Sequence, residues 1–596
     1  MQCGRRTVLL AVVTIGCGDE MASYPLSPNK FPESPNKFPV APKAYPGTVA
    51  AFPAGGGPAP LLLTPESGDT FEDQDTVILH ATIPSGAPAV TNVEFYQGVT
   101  LLGTAAASPW EYIWEPVSTG SYSVTAKANY ADATTGTSAA ASITVAAARS
   151  FVPTDLTQTK FWADPTHDAS ITITAGRVQT ITRYRDNVSF TGDMTQGTAA
   201  ARPILGRLRG KQALFFGTGT SERLVAAVTG TVGFPHTLFV VVRPVSHGST
   251  SYVLSTAGIG RVRFGGTTYP RTRTCESPTD LASTKVASTS ELITFLCNNT
   301  ASEARVNTVT VNGPGASAGA SGLTTDFCIC LNSGANSEKM SVGDVIIAVG
   351  ALSAGERTQI ESELMAKWHL ADPVAKFMVV GDSIARGFGS ADSNGYRALN
   401  WTQWSSKGKI AGRWLEEIGP AELGSFGGDC HYGIDGKGIN YMRANLPALI
   451  GTGAEQFAPD VILLDLGINN AASAAGEAWA GGTGAGSTID EYKLLVGDIW
   501  AKLPNCIIIP TNLPPNSNGT TETNRLAFNS DLPAALAALE VTHSKQLVKY
   551  FWDTSVSLGG VYTAGLMSDA THPNDAGYQA KANAMRPAIV RAFADL

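Results

Sequence analysis

A serine lies where the chain passes from an apolar run into residues with helical character. Residues 377–387 read Phe-Met-Val-Val-Gly-Asp-Ser-Ile-Ala-Arg-Gly, with Ser383 at the change. A buried strand, a sharp turn and a helix start would expose this hydroxyl at the carboxyl edge of a sheet, where helix N-terminal amides point at its target. Ser383 is therefore a candidate nucleophile, and the alternative is that it only caps the helix.

A histidine that could activate this serine lies near the C-terminus. Residues 568–578 read Ser-Asp-Ala-Thr-His-Pro-Asn-Asp-Ala-Gly-Tyr and contain Asp569 and His572. Because a serine hydroxyl is a weak nucleophile at neutral pH, it needs a base. His572 can be that base, and Asp569 can hold its imidazole in the useful tautomer. The chain order Ser, Asp, His also occurs in α/β hydrolases.

Two further stretches could supply hydrogen-bond donors to a tetrahedral oxyanion. Residues 459–470 form an apolar run that ends in Gly-Ile-Asn-Asn, and residues 431–438 read His-Tyr-Gly-Ile-Asp-Gly-Lys-Gly. An oxyanion needs two or three donors in place before it forms. The predicted donors are the amide N–H groups of Ser383 and Gly436 and the side-chain amide of Asn469.

In this order the four blocks resemble the SGNH (GDSL-type) hydrolase family, whose blocks are Gly-Asp-Ser, a glycine loop, Gly-x-Asn-Asp and Asp-x-x-His. The resemblance covers residues 373–596 and implies a flavodoxin-like α/β fold that needs no metal or other cofactor. It implies the following residue roles: nucleophile Ser383, orienting acid Asp569 and base His572, with an oxyanion hole of Ser383, Gly436 and Asn469.

Two points separate this chain from the family pattern. Asn470 stands where the family has aspartate, and we expect this change to keep the neighbouring donor but to loosen its support. The choice of Gly436 over Gly433 or Gly438 rests on spacing.

The composition favours an extracytoplasmic, β-rich protein of several domains. The 596 residues exceed what one core accommodates, only 15% of them are charged, and the chain contains 62 glycines and 34 prolines. The formal net charge of -8, without a basic cluster, argues against a nucleic-acid partner. No apolar run reaches the ~18 residues that a membrane span needs.

The N-terminal 21 residues have the pattern of a leader. Arg5-Arg6 precede a short apolar core that ends in Gly16-Cys17, which is typical of a secretion signal and resembles a bacterial lipoprotein site with lipid on Cys17. Two alternatives stay open: translation could start at Met21, or the segment could be retained and dock on a partner, as in a virion. Residues 22–62 are rich in proline and predict a semi-rigid, extended linker or anchor.

Residues 63–146 and 147–372 predict two β-sandwiches. In 63–146, apolar positions alternate in short runs separated by turn signals, and the pattern resembles bacterial Ig-like modules. In 147–372, strand candidates precede a helix that begins with a Ser353–Glu356 capping box. Phe161-Trp162-Ala-Asp-Pro165, together with the segment 352–357, resembles the concanavalin A-like (LamG-type) lectin fold. That fold implies glycan binding, and the alternative is a scaffold without a ligand.

Residues 373–596 have the alternation of strands and helices that is typical of a parallel sheet covered on both faces. Strands are predicted to end at Val380, Leu466 and Ile509. Helical segments are predicted at 408–418, 489–503 and 576–593. The Ala/Gly-rich stretch 471–488 could form a rim over the site or a solvent loop.

The sequence thus predicts a metal-independent carboxylic-ester hydrolase. The lectin-like neighbour suggests an O-acetylated polysaccharide or another glycan ester as substrate, and a secreted or envelope-attached location, with a virion as the alternative. The competing hypothesis is a structural or adhesive surface protein, such as a virion fibre, that binds glycan with little or no catalysis.

Overall fold

A computed structural model describes the chain from residue 57 to residue 596, with internal gaps. The gaps are residues 74, 85–86, 148–150, 218–221, 229–234, 245–250, 257–260, 266–271, 277–280, 286–288, 299–300, 313–326, 332–338, 351, 421–429, 453–455 and 475. The predicted leader with Cys17, and residues 22–56 of the predicted linker, lie outside the described residues.

The first domain is a β-sandwich. One sheet has the order β1-β3-β6, and the other has the order β2-β9-β7-β4-β5, with β8 beside β7. The strands are β1 Leu61–Thr64, β2 Thr70–Glu72, β3 Asp75–Thr82, β4 Val90–Gln97, β5 Thr100–Ala105, β6 Glu111–Val117, β7 Gly120–Tyr130, β8 Thr135–Thr137 and β9 Ala141–Ala146. Its core alternates as predicted, since Val93 and Phe95 of β4 and Val124 and Ala126 of β7 are fully buried.

The second domain is a larger sandwich of two nine-stranded sheets with one helix on the outside. One sheet contains the following strands: β10 Thr159–Ala163, β13 Tyr184–Arg185, β15 Ile204–Leu208, β16 Lys211–Phe216, β18 His236–Pro244, β23 Glu291–Cys297, β24 Glu303–Val306, β25 Val309–Asn312 and β27 Met340–Val349. The facing sheet contains β11 Ile171–Thr174, β12 Arg177–Ile181, β14 Met194–Thr195, β17 Leu224–Ala226, β19 Ser251–Thr256, β20 Arg261–Gly265, β21 Thr272–Glu276, β22 Leu281–Lys285 and β26 Phe327–Leu331.

Helix α1, Ala354–Lys367, covers the outer face of the first of these sheets. It begins as predicted with a capping box, in which the Ser353 hydroxyl accepts from the Glu356 N–H and the Glu356 carboxyl accepts from the Ser353 N–H. Ile360, Leu364 and Trp368 form the buried stripe that packs on the sheet.

The third domain is an α/β domain with a parallel sheet in the order β29-β28-β31-β32, and β30 pairs with the end of β28. Its strands are β28 Val374–Gly381, β29 Trp414–Glu417, β30 Tyr432–Gly433, β31 Val461–Asp465 and β32 Ile507–Pro510. Its helices are α2 Ser383–Arg386, α3 Gly395–Asn400, α4 Ile439–Leu449, α5 Ile468–Ala471, α6 Thr488–Lys502, α7 Gly519–His543, α8 Thr554–Ser557 and α9 Asp575–Ala594. The predicted order of two β-sandwiches followed by an α/β domain is confirmed.

One predicted helix is wrong. Residues 408–418 contain strand β29 instead, and all four of its residues are buried. Ala411 and Gly412 before it have left-handed backbones, with φ of 47° and 71°, which ends any helix there. Tertiary burial beside β28 therefore overrides the local helical pattern.

Candidate active site

Ser383 lies at the turn between β28 and α2. The strand ends at Gly381, and the Asp382 carboxyl group caps the helix by accepting from the Ile384 N–H at 2.9 Å. The Tyr578 hydroxyl, from α9, donates to the carbonyls of Ile384 and Phe388 and ties the turn to that helix. The predicted strand, turn and helix are all present, and Ser383 itself is the first residue of α2.

The structure brings Ser383, His572 and Asp569 into one hydrogen-bonded chain. Ser383 Oγ lies 2.8 Å from His572 Nε2, and His572 Nδ1 lies 2.8 Å from Asp569 Oδ2. The other oxygen of Asp569 accepts from the backbone N–H groups of Thr571 and His572. A hydroxyl, an imidazole and a carboxylate in this order can abstract a proton from the serine and hold the resulting imidazolium.

The surroundings of Asp569 favour its ionised form. Burial alone would raise its pKa, but the two backbone N–H groups and the His572 side chain lower the pKa of Asp569 below its usual value. The carboxylate is therefore available to orient His572 at neutral pH.

The serine turn and the histidine loop meet at Gly389. This residue has a φ of 98°, and a Cβ on it would lie 2.4 Å from Ser568 Oγ and 3.0 Å from His572 Cβ. Glycine is therefore required for the close approach. Next to it, the half-exposed Phe388 places its ring 4.5 Å from the imidazole of His572. An aromatic face thus flanks the reactive groups.

The predicted oxyanion residues Gly436 and Asn469 follow strands β30 and β31, which both pair with β28. Asn469 lies in α5 after β31, and its side-chain amide donates one hydrogen to the Lys437 carbonyl at 2.9 Å. An amide NH₂ group has a second hydrogen, so Asn469 can still serve another acceptor. Gly436 is solvent-exposed, with a φ of 68°. Gly433, by contrast, already donates its N–H to His431 Nδ1 at 2.8 Å.

Asn470, which was expected to loosen the support of Asn469, is itself hydrogen-bonded at both ends of its side-chain amide. It is fully buried, its Oδ1 accepts from the Ile439 N–H at 2.9 Å, and its Nδ2 donates to Glu477 Oε2 at 3.2 Å. Both functions of the amide are satisfied, which a buried polar group requires.

Comparisons with known proteins agree with this architecture. Residues 379–580 match the family model of the GDSL-like lipase/acylhydrolase family, and residues 58–126 match that of the bacterial Ig domain. Residues 379–580 therefore form a domain that is similar to GDSL-like hydrolases. No curated protein matches the chain significantly.

Several solved structures are similar to parts of the chain. Each is given with its sequence identity, its TM-score and the shares of this chain and of its own chain that the match covers. One is a fibronectin(III)-like module of Clostridium thermocellum CbhA, with 26% identity and a TM-score of 0.15; the match covers 15% of this chain and 99% of the module. Another is a family two carbohydrate esterase from the same organism in complex with cellohexaose, with 11% identity and a TM-score of 0.27; the match covers 66% of this chain and 99% of the esterase. A third is a catalytic mutant of the acetylxylan esterase Axe2 from Geobacillus stearothermophilus, with 16% identity and a TM-score of 0.25; the match covers 37% of this chain and 94% of Axe2.

A buried ion pair lies close to the Ser383 turn of the GDSL-like domain. Lys581 Nζ, from α9, lies 3.2 Å from Asp465 Oδ2 at the end of β31, and both side chains are buried. Burial, reinforced by the negative charge of Asp465, raises the pKa of Asp382 to about 8. The carboxyl of Asp382, next to Ser383, is therefore largely protonated at neutral pH.

Sequence reasoning missed two residues of this region, Phe388 and Glu477. Phe388 is flanked by Gly387 and Gly389, and Glu477 is the lone charged residue of the Ala/Gly-rich stretch 471–488. An isolated charge in such a stretch, directly after Asn469 and Asn470, is the signal that could have found it. The stretch was expected to form either a rim over the site or a solvent loop, and the structure shows that it contacts helix α4 through Glu477.

Within the described ranges, no group of three or more His, Cys, Asp or Glu side chains is arranged to hold a metal ion. In the same part of the chain, no helix combines the length and the hydropathy needed to cross a membrane.

Proposed function

We propose that the chain is a serine esterase that hydrolyses carboxylic esters, and that its substrate is an O-acetylated polysaccharide. The observation that carries this proposal is the pair of 2.8 Å contacts that link Ser383 to His572 and His572 to Asp569. The GDSL-like family match over residues 379–580 supports the same reaction class.

In the first half of the reaction, Ser383 Oγ attacks the ester carbonyl while His572 Nε2 takes the hydroxyl proton. The imidazolium then gives this proton to the departing alcohol oxygen as the acyl-enzyme forms. In the second half, His572 takes a proton from water, the hydroxide attacks the acyl carbon, and the acid leaves as the proton returns to Ser383. Asp569 holds the Nδ1–H tautomer throughout.

The negative charge on the tetrahedral oxygen would be shared by three donors. These are the N–H groups of Ser383 and Gly436 and the second hydrogen of the Asn469 amide. The Ser383 N–H belongs to the first turn of α2, where N–H groups have no partner within the helix, and the exposure of Gly436 leaves room for a substrate. Each such donor contributes about 3 kcal/mol to transition-state stabilisation in hydrolases.

Phe388 supports a carbohydrate substrate. Its half-exposed ring beside His572 offers an apolar face on which the C–H face of a sugar can pack, close to the ester that Ser383 attacks. The second β-sandwich would then bind more distant parts of the same glycan. A secreted or envelope-attached location is consistent with such a substrate.

The test compares initial rates on 4-nitrophenyl acetate and on acetylated xylan for the wild type, Ser383→Ala and the surface control Ser121→Ala. Loss of turnover in Ser383→Ala alone supports the esterase. Equal turnover in all three contradicts it, and glycan binding without turnover supports the adhesive alternative.

Phe388→Ala should raise KM for acetylated xylan and leave KM for 4-nitrophenyl acetate unchanged. Equal changes in KM for both substrates would contradict the carbohydrate role of Phe388.

A further inference from the structure

Helix α4 begins without a cap of its own. Its first residue, Ile439, follows Gly438, which has no side chain to accept from the free N–H groups of the first turn. These groups need acceptors, and the N-terminus of a helix is stabilised by negative charge. The loop that carries Gly436 leads directly into this end of the helix.

Two side chains from another part of the chain supply the missing acceptors. Asn470 Oδ1 accepts from the Ile439 N–H at 2.9 Å. The Glu477 carboxyl accepts from the N–H groups of Asn440 at 3.1 Å and Tyr441 at 3.0 Å. Glu477 is 1% exposed, and it also accepts from Asn470 Nδ2. The whole first turn of α4 is thus held by one buried Asn–Glu pair.

The same pair borders the oxyanion residues. Asn469, adjacent to Asn470, donates to the Lys437 carbonyl in the middle of the loop. A Cβ on Gly438 would lie 2.2 Å from Asn470 Oδ1 and 2.8 Å from Glu477 Oε2, so the loop is packed tightly against both side chains. Displacing Glu477 would therefore move the loop that carries Gly436.

We propose that Glu477 is a positioning residue of the active site, which holds the 434–438 loop so that Gly436 and Asn469 can donate to the oxyanion. This inference rests on the proposed esterase function. It also explains the departure at position 470, because the carboxyl that the family pattern places there is supplied here by Glu477, seven residues later, and the two side chains act as one unit.

The experiment uses the full chain and exchanges the side-chain carboxyl of Glu477 and the side-chain amide of Asn470, first one at a time and then together. Glu477→Gln removes one acceptor oxygen, and Asn470→Asp replaces the donor that faces Glu477 with a second acceptor. Each variant should therefore lower kcat for 4-nitrophenyl acetate. The expected loss is about 10- to 100-fold with little change in KM, which is part of the ~10²–10³ that the loss of one oxyanion donor costs. The double variant again sets an amide donor at position 477 against an acceptor at position 470, but the Asn440 N–H loses its acceptor. Its kcat should therefore recover in part and exceed that of either single variant.

Glu540→Gln is the matched control, because the Glu540 carboxyl also accepts two backbone N–H groups, those of Leu547 and Val548, and is no part of the proposed machinery. It should leave kcat unchanged. Hydrogen exchange of the segment 434–444 supplies a readout that does not depend on catalysis, and exchange there should be faster in Glu477→Gln than in the wild type or in Glu540→Gln.

Three results would each overturn the positioning role. They are hydrogen exchange in Glu477→Gln as slow as in the wild type, a kcat of Glu477→Gln equal to that of Glu540→Gln, and a kcat of the double variant no higher than that of the single variants. If the wild type shows no turnover that depends on Ser383, the esterase proposal fails. The exchange data then still decide whether Glu477 holds the loop.

Discussion

At the residue scale, two aspartates near Ser383 are driven in opposite directions by their surroundings. Asp569 lies on a partly exposed loop, where backbone N–H groups lower its pKa. Asp382 lies in the core, where burial and Asp465 raise its pKa to about 8. The carboxyl of Asp569 thus faces His572 as an anion, while that of Asp382 caps α2 in a largely neutral form.

The raised pKa of Asp382 predicts a specific pH dependence of stability. A group whose pKa is higher in the folded state contributes stability below its unfolded value near 3.8, and this contribution is lost as the pH rises through about 8. Asp382→Asn keeps an oxygen for the Ile384 N–H and removes the titration. The variant should therefore gain stability relative to the wild type between pH 4.5 and 8.5, as measured by urea unfolding of the α/β domain.

Asp490→Asn, in helix α6, is the control for this measurement. Because the Gly486 N–H and Lys493 lower the pKa of Asp490, its contribution to stability is lost only as the pH falls through that low pKa. Its difference from the wild type should be constant between pH 5 and 8.5. A constant difference for Asp382→Asn as well would contradict the assigned pKa.

The sequence reveals reactive residues more readily than the residues that support them. Ser383, Asp569 and His572 occur in short blocks whose spacing has a chemical reason, and the structure brings them together. Glu477 acts on a helix about 37 residues earlier in the chain, and Lys581 reaches a strand 116 residues earlier. Such contacts depend on how the chain folds back, which local patterns do not encode.

At the scale of elements, the site depends on how closely β28 and β31 approach. Gly381 ends β28 beside Asp465, and a Cβ on it would lie 2.2 Å from the Asp465 carbonyl and 2.5 Å from the Ala385 Cβ. Neither neighbour is the flexible end of a long side chain. The two strands can therefore carry Ser383 and Asn469 side by side only while this position is glycine.

Gly381→Ala should separate these two strand ends. Overpacking of this kind costs about 1–3 kcal/mol, and the same shift should lower kcat because it moves Ser383 relative to Asn469. Gly519→Ala in the first turn of α7 is the matched control, since no heavy atom lies within 4 Å of its Cβ position. Thermal unfolding and esterase rates of both variants check this. If Gly381→Ala unfolds at the same temperature as the wild type, the prediction is contradicted, because β28 and β31 can then accommodate a Cβ without loss of stability.

A helix or strand whose own sequence contains the residues that define it was predicted well. One whose conformation depends on contacts with distant residues was not. Helix α1 has its capping box and buried stripe in the sequence itself. Strand β29 contains two glutamates, and its glutamate 416 is buried because Arg209 of the second sandwich pairs with it at 2.8 Å. A charged residue is compatible with a buried strand only when its partner is known.

At the scale of the whole described part of the chain, the three domains meet around a buried histidine. His369 follows α1, its Nε2 lies 3.1 Å from Asp75 of the first sandwich, and its Nδ1 lies 3.2 Å from Asp372. Lys211 pairs with the same Asp75 at 2.7 Å, and Lys409 of the α/β domain pairs with Asp372 at 3.0 Å. One charge cluster thus joins residues of all three domains.

This cluster predicts that the domains separate more easily at alkaline pH. Burial alone would lower the pKa of His369, but hydrogen bonds to Asp372 and Asp75 raise it above its usual value. The charged histidine therefore stabilises the junction fully below pH ~6.5, and this contribution is lost as the pH rises through the raised folded value. His369→Gln should cost about 1–3 kcal/mol at pH 6 and less at pH 9, because the wild type loses the charge as the pH rises through the raised pKa of His369.

Limited proteolysis and thermal unfolding at both pH values measure this difference. His543→Gln, at the end of α7, is the control and should show the pH dependence of the wild type. Because Lys211 and Lys409 still pair with the two aspartates in His369→Gln, that variant should fold and only its junction should weaken. A loss of stability that is equal at pH 6 and pH 9 would mean that the imidazole acts by packing against Trp414, whose ring lies 5.3 Å away, and not by its charge.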